Sequence, residues 1–216
     1  MNSIPDPTAY EAWYTTPRGQ WVSDCEFTLL MQLLKPDAGA SLLDVGCGTG
    51  HFSRRFARSG LSVTGIDPDP AALAFARAQG EGIHYRQGSA LELPFPDKAF
   101  DYTVAVTSLC FVEEPLQALQ EMWRVSRHAS VLGLLNRHSL LYRRKKGRGS
   151  YTGARWDAAS EVLDTWLPAL TPLPGNITVR TAVFFPGGSR IAQWSERLLP
   201  NVLPWGGFLA VALEKP

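Results

Sequence analysis

The stretch Ser41-Leu42-Leu43-Asp44-Val45-Gly46-Cys47-Gly48-Thr49-Gly50 decides the fold. Its first half is a short apolar run, the pattern of a strand buried on both faces. Its second half alternates glycines and opens onto residues 51–58, where Phe52 and Phe56 stand four apart on one helical face and Gly60 supplies the stop. A strand that runs through a glycine turn into a helix is the opening of a βαβ unit. Glycine there permits unusual dihedrals and lets a ligand come close to the backbone. The helix start adds free amide donors and the positive end of a dipole, which suit a carboxylate or phosphate.

Working outward, the same alternation continues. Strands are expected at 61–66, 83–86, 101–106 and 130–135. Helices are expected at 26–34, 70–79, 115–125 and 156–167. Residues 179–185 and 208–213 have the character of a final strand pair. Between them, Ile191, Trp194, Leu198 and Leu199 mark one face of a short helix. Strands and helices alternating at this spacing give an α/β fold, a doubly wound and mostly parallel sheet with helices on both faces. Ligands in such sheets sit at the carboxyl ends of the strands, near the switch point.

The second strand ends at Asp67 in Gly65-Ile66-Asp67-Pro68-Asp69-Pro70. An acid at this place can accept two hydrogen bonds from a ribose diol. Its competing use is to cap the next helix, but Asp69, immediately before Pro70, is the better cap. Other nucleotide readings are weaker. The loop is G-x-G-x-G and not the dinucleotide G-x-G-x-x-G, and no G-x-x-x-x-G-K-[ST] is present.

Composition sets the outer bounds. The 216 residues hold 21 basic and 20 acidic side chains, a formal charge of +1, so nothing draws the whole chain to nucleic acid or an anionic membrane. Apolar residues make up 45% and charged residues 19%, which excludes an intrinsically disordered chain. Cys25, Cys47 and Cys110 are too few and too scattered for a disulfide framework or a zinc site, and suit a reducing compartment. No metal is expected. Asp6, Glu11 and the prolines of the first residues exclude a signal peptide, and no apolar run is long enough to span a bilayer. The expectation is a cytoplasmic protein of one domain over 1–216, without internal repeats.

Leu42–Gly50 (LLDVGCGTG), 65–69 (GIDPD), 87–101 (QGSALELPFPDKAFD) and 118–127 (ALQEMWRVSR) together resemble the class I S-adenosylmethionine-dependent methyltransferases. The likeness is to the small-molecule branch called methyltransferase type 11, similar to the ubiquinone and menaquinone C-methyltransferases. It is strong over residues 42–135 and loose at the termini. It implies a Rossmann-like sheet of seven strands with the last antiparallel. It also implies a helical lid at 1–36, a cofactor-binding core at 37–136 and a substrate-side region at 137–216. The implied cofactor is S-adenosylmethionine, leaving as S-adenosylhomocysteine. Asp44, Gly46, Cys47, Gly48 and Gly50 would hold its methionine portion and Asp67 its ribose. Pro68, Ser89 and Ala90 would border the adenine, and Thr107 would lie near the sulfonium. Ser89 stands where the family usually has an aspartate, so the hydroxyl brings one acceptor without the charge. Arg127-His128-Ala129 replaces the usual Pro-Gly-Gly.

A sulfonium is already a strong methyl donor, so alignment supplies much of the rate and a base is needed only where the acceptor must lose a proton. His138, just past the fifth strand, is the candidate base; its competing reading is a loop histidine. His51 divides evenly between site and surface. In the N-terminal segment, Tyr10, Trp13, Tyr14, Arg18 and Trp21 suit an aromatic lid, with Tyr14 and Arg18 on the cofactor, or plain core packing. Arg143-Arg144-Lys145-Lys146-Gly147-Arg148 is a solvated loop or a binding loop, for which a small acidic acceptor is favoured over RNA. The expected function is methyl transfer to a small molecule. The alternatives are an RNA methyltransferase using residues 143–148, or a cofactor-binding protein without catalysis.

Overall fold

The computed structural model describes residues 6–216; residues 1–5 of the expected lid lie outside it. Two helices open the chain. Helix α1 (Pro7–Thr15) is capped by Asp6, whose side chain accepts from the amides of Thr8 and Ala9. Helix α2 (Pro17–Leu34) is capped by Thr16 and ends on Lys35 in the left-handed conformation. It begins nine residues before the expected Glu26, because Thr16 and Pro17 form a cap and first-turn pair.

The core alternates from there. It runs β1 (Ser41–Val45), α3 (His51–Arg58), β2 (Ser62–Asp67), α4 (Pro70–Ala78), β3 (His84–Gln87), β4 (Phe100–Val106), α5 (Pro115–Val125) and β5 (Ser126–Leu135). Asp69 caps α4 as the sequence predicts, accepting from Ala71 and Ala72. Strand β5 starts four residues earlier than the expected Ser130. Arg127 and His128 therefore lie within it, across a bulge opposite Phe100 to Tyr102.

The last third is less regular. Helix α6 (Leu140–Lys145) is capped by Ser139 and carries Arg143, Arg144 and Lys145 in its final turn, where the dipole favours cations. The first half of the basic run is thus helical. The helix expected at 156–167 starts only at α7 (Ala159–Glu161) and continues as a wider turn over Val162–Trp166. Before it, Asp157 bridges to Asn136 in extended form. Strand β6 (Asn176–Ala182) lies three residues earlier than expected. Val183 turns left-handed after it, and the amides of Val183 and Phe184 donate to the Glu196 carboxylate. Helix α8 (Arg190–Glu196) and β7 (Phe208–Glu214) complete the chain.

The strands form one sheet in the order β3-β2-β1-β4-β5-β7-β6. The β1, β2, β3, β4 and β5 pairings are parallel, with Asp44 opposite Gly65 and Leu43 opposite Thr103. Strand β7 runs antiparallel between β5 and β6. Period-two alternation splits each strand between two layers. Leu43, Val45, Leu132, Leu134, Leu209 and Val211 face α5, whose Leu119, Met122 and Trp123 are fully buried against them. Leu42, Val104, Val131 and Ala210 face α2 and α3 through Leu30, Phe52 and Phe56. Each such large side chain contributes about 1.5–3 kcal/mol on burial. The strand order reverses between β1 and β4, and that opens a crevice at their carboxyl ends.

Candidate active site

The crevice is a cavity of about 710 Å³. Asp44, Gly46, Cys47, Gly48 and Thr49 line it from β1 and its turn. Asp67 and Pro68 line it from the end of β2, Thr107 and Ser108 from the end of β4, and Tyr14 from α1. The turn is shaped by close approach. Gly46 has φ +72°, and a Cβ there would lie 2.4 Å from Ser108 Cβ. Ser108 Oγ in turn donates to Val45 O at 2.7 Å, tying the β1 and β4 exits together.

Two carboxylates face this turn. Asp67, 9% exposed, accepts from Gly48 N at 2.8 Å and from Asp69 N at 2.9 Å. A carboxylate offers about four lone-pair sites, so about two remain for a diol. Burial raises its proton affinity, and the two amide donors oppose that. Asp44 is buried, with Oδ2 accepting from Ser53 Oγ at 2.5 Å. Burial pushes its carboxyl up to about 7, and the nearby Asp67 charge adds to the rise. A cation held beside the turn would relieve both groups.

Thr107 leaves β4 with φ +49°, a strained conformation for a β-branched residue. Its amide donates to Gly133 O at 2.8 Å, which holds it there. It also borders a second cavity of about 430 Å³. Tyr10, Tyr14, Thr107, Phe111, Gly149 and Ser150 line both cavities. The second is completed by Trp13, Arg18 and Glu26 from α1 and α2, by Lys145 and Arg148, and by Tyr151 and Phe208.

Helix α1 is fastened over the glycine turn through Glu11. Thr49 Oγ1 donates to Glu11 Oε2 at 2.6 Å, Arg54 pairs with Oε1, and His51 Nδ1 lies 3.4 Å from Oε1. These partners hold the Glu11 carboxyl below its ordinary range, against the opposing effect of burial. The His51 ring stacks on Tyr14 at 3.6 Å between centroids, and its Nε2 is 2.7 Å from Ser23 Oγ.

Five of the sequence-predicted residues fall elsewhere. Gly50 is outside the lining; a Cβ there would meet Tyr85 Oη at 2.3 Å, so packing is what requires glycine. Ser89 is exposed, and its Oγ accepts from Leu91 N in a turn. Ala90 is buried in the core with Ile66 and Leu93. Arg18 lines the second cavity instead of the first, with Nε donating to Pro186 O at 2.8 Å. His138 is exposed and lines neither cavity, because Asn136 turns the chain there by accepting from its amide. Glu11, His51, Ser108, Phe111 and Glu26 are the residues that sequence reasoning missed or left undecided. Glu11 lies 40 positions from His51 in the chain, and no local pattern joins them.

A mostly parallel sheet with this order, a glycine turn after β1 and a carboxylate at the end of β2 are the features of the class I S-adenosylmethionine-dependent methyltransferase fold. More narrowly, residues 43–133 match the family model described as a methyltransferase domain. Its cofactor is S-adenosylmethionine. The cavity fits that group: it holds an acid with lone pairs to spare and a buried acid that lacks a cation, beside a turn a Cβ would fill.

A malonyl-[acyl-carrier protein] O-methyltransferase from Pectobacterium atrosepticum is 34% identical over 103 residues, 48% of this chain and 41% of that protein. The protein Rv2003c of Mycobacterium tuberculosis is 33% identical over 165 residues, 73% of this chain and 55% of that one. The chain thus spans about two-fifths to little more than half the length of these curated relatives. The crystal structure of a Thermotoga maritima S-adenosylmethionine-dependent methyltransferase, described as a possible histamine N-methyltransferase, superposes with a TM-score of 0.76. It is 25% identical and covers 97% of this chain and 96% of its own.

Proposed function

We propose that this chain transfers a methyl group from S-adenosylmethionine to a small-molecule acceptor held in the second cavity. The observation that carries the reading is the shared wall of the two cavities: Thr107, Tyr10, Tyr14 and Phe111 border both, so the two cavities adjoin. When bound, the cofactor supplies an electrophilic methyl. The chain's own residues bind and align. Asp67 accepts from the ribose hydroxyls, Asp44 sets a negative charge near the amino-acid end, and the turn at Gly46 and Gly48 admits the ligand against the backbone. Cys47 and Pro68 supply wall, and the strained Thr107 fixes the edge past which the acceptor lies. Helix α1, pinned by Glu11, excludes water from both cavities.

Lys145 and Arg148 border the second cavity, which supports an acceptor carrying an acidic group. The relatives named as O-methyltransferases of a malonyl carrier support the same class. A lid at 1–36 is narrowed to α1 and the first half of α2, since Leu29, Leu30 and Leu34 are core. A cytoplasmic site of action belongs to the same reading and rests on three free cysteines. Among the described residues no helix is long and apolar enough to cross a membrane.

The test is an acceptor screen with methyl-labelled cofactor. Label should pass to a small acceptor with matching release of S-adenosylhomocysteine. Tight cofactor binding with no transfer to any member of a broad panel of acids, amines, phenols and thiols would overturn the reading.

A further inference from the structure

Among the described residues, one acid lines the second cavity without a hydrogen-bonded or ion-paired partner, and the cations Lys145 and Arg148 border the same cavity. Glu26, midway along α2, lines that cavity. Among the described residues its carboxylate makes no hydrogen bond and no salt bridge. The cation whose field reaches it is Arg55. That guanidinium is already held by Asp24 Oδ1 at 2.7 Å and Ser23 Oγ at 2.6 Å. Arg18 borders the same cavity but spends its Nε on Pro186 O. Glu26 is half-buried, and burial pushes its carboxyl up to about 8 against the opposing field of Arg55.

The walls around it are aromatic. Tyr10, Trp13, Tyr14, Tyr151 and Phe208 line the same cavity. Burial raises the hydroxyls of Tyr10, Tyr14 and Tyr151, and the Glu26 charge adds to the rise, so these phenols lie within its field. An acid that needs a counter-charge, set among ring faces that attract cations, is a site for an organic ammonium. Neutral acceptors would leave the carboxylate unpaired. An inorganic cation is ill served, since one carboxylate and phenols make a poor oxygen cage.

We propose that Glu26 anchors an ammonium group of the methyl acceptor, which makes the acceptor a small organic amine. The inference rests on the reading of the second cavity as the acceptor site. Lys145 and Arg148 border that cavity from α6 and the segment after it, so an acidic group at their end and an ammonium at Glu26 satisfy both poles.

The test is calorimetry on the whole chain with 2-phenylethylamine and with 2-phenylethanol, its neutral counterpart of similar shape. Each is titrated with and without S-adenosylhomocysteine. The amine should bind about tenfold more tightly than the alcohol, the gain expected of one charged hydrogen bond. The Glu26→Gln variant should bind both alike while keeping its affinity for S-adenosylhomocysteine, which shows that it is folded. Asp24→Asn, on the same helix but exposed, should keep the preference for the amine. Amine and alcohol binding alike in the unaltered chain, an amine that does not bind, or a preference that survives in Glu26→Gln overturns the inference. Loss of S-adenosylhomocysteine binding with the amine preference intact would instead overturn the reading of the first cavity and leave Glu26 as a cation site.

Discussion

The two cavities share a wall but are built in different ways. The first is built around three strand ends, β1, β2 and β4, with α1, the start of α3 and residues 149–152 closing it. The second is made by α1, α2, α6 and the segment around residues 148–151, which meet only in the folded molecule. The sheet side carries three acids, Asp44, Asp67 and Asp69; the helical side is aromatic and carries charges of both signs. On the proposed reading, the first cavity takes the donor and the second the acceptor. The donor needs one fixed geometry, whereas the acceptor needs walls that can change without disturbing the sheet.

The sharpest way to break that contrast is at Asp67. Asp67→Ala should weaken cofactor binding by about 1–3 kcal/mol, through loss of charged hydrogen bonds to the ribose and of the acceptor for Gly48 N. Calorimetry with S-adenosylhomocysteine reads it directly, and an unchanged affinity would remove Asp67 from the site. Gly46→Ala comes next. It forces a Cβ onto Ser108 at a positive φ, and should cost about 1–3 kcal/mol of stability along with cofactor affinity. Thermal melts with and without the nucleoside separate the two losses.

Glu11→Gln tests the link between the halves. It keeps the shape but removes the charge facing Arg54 and His51, and should cost about 1–2 kcal/mol of stability. Because α1 walls both cavities, affinity for donor and acceptor should fall together; a loss confined to one of them would show that α1 serves that side alone.

The pH dependence of the apo chain follows from Asp44. Its carboxyl is raised from 3.8 to about 7 in the folded state. Between those values the folded chain holds a proton that the unfolded chain has released. Stability contributed by this group is therefore full below about pH 4 and falls as pH rises towards 7. Glu26, raised to about 8, extends the fall upward. Melting temperature followed across pH should show less of this loss in Asp44→Asn. The smallest effect is expected at His138, which lines neither cavity: His138→Ala should leave cofactor affinity and turnover within error of the unaltered chain.

The difference between the cavities also explains what was legible in the sequence. Strand ends and the turns that follow them are contiguous, so Leu42–Gly50 and 65–69 exposed the fold, the glycine turn and Asp67 at once. Asp69 could be assigned as a cap because capping is local. Gly50 was misplaced because a glycine in a ligand turn and one packed against Tyr85 look the same in one dimension. His138 followed the fifth strand in order, but the Asn136 turn removed it from the crevice. Glu11 and Glu26 were invisible as site residues. Each acid sits on an ordinary amphipathic helix, and only tertiary packing brings one to His51 and Arg54 and the other into a cavity.

The central claim is that the β1 turn and the β2 acid together grip a nucleoside-bearing donor. Equilibrium dialysis with radiolabelled S-adenosylmethionine tests it most directly. The account predicts saturable retention approaching one donor per chain, displaced by excess S-adenosylhomocysteine and not by adenosine triphosphate. Retention no greater than that of an unrelated protein would contradict it.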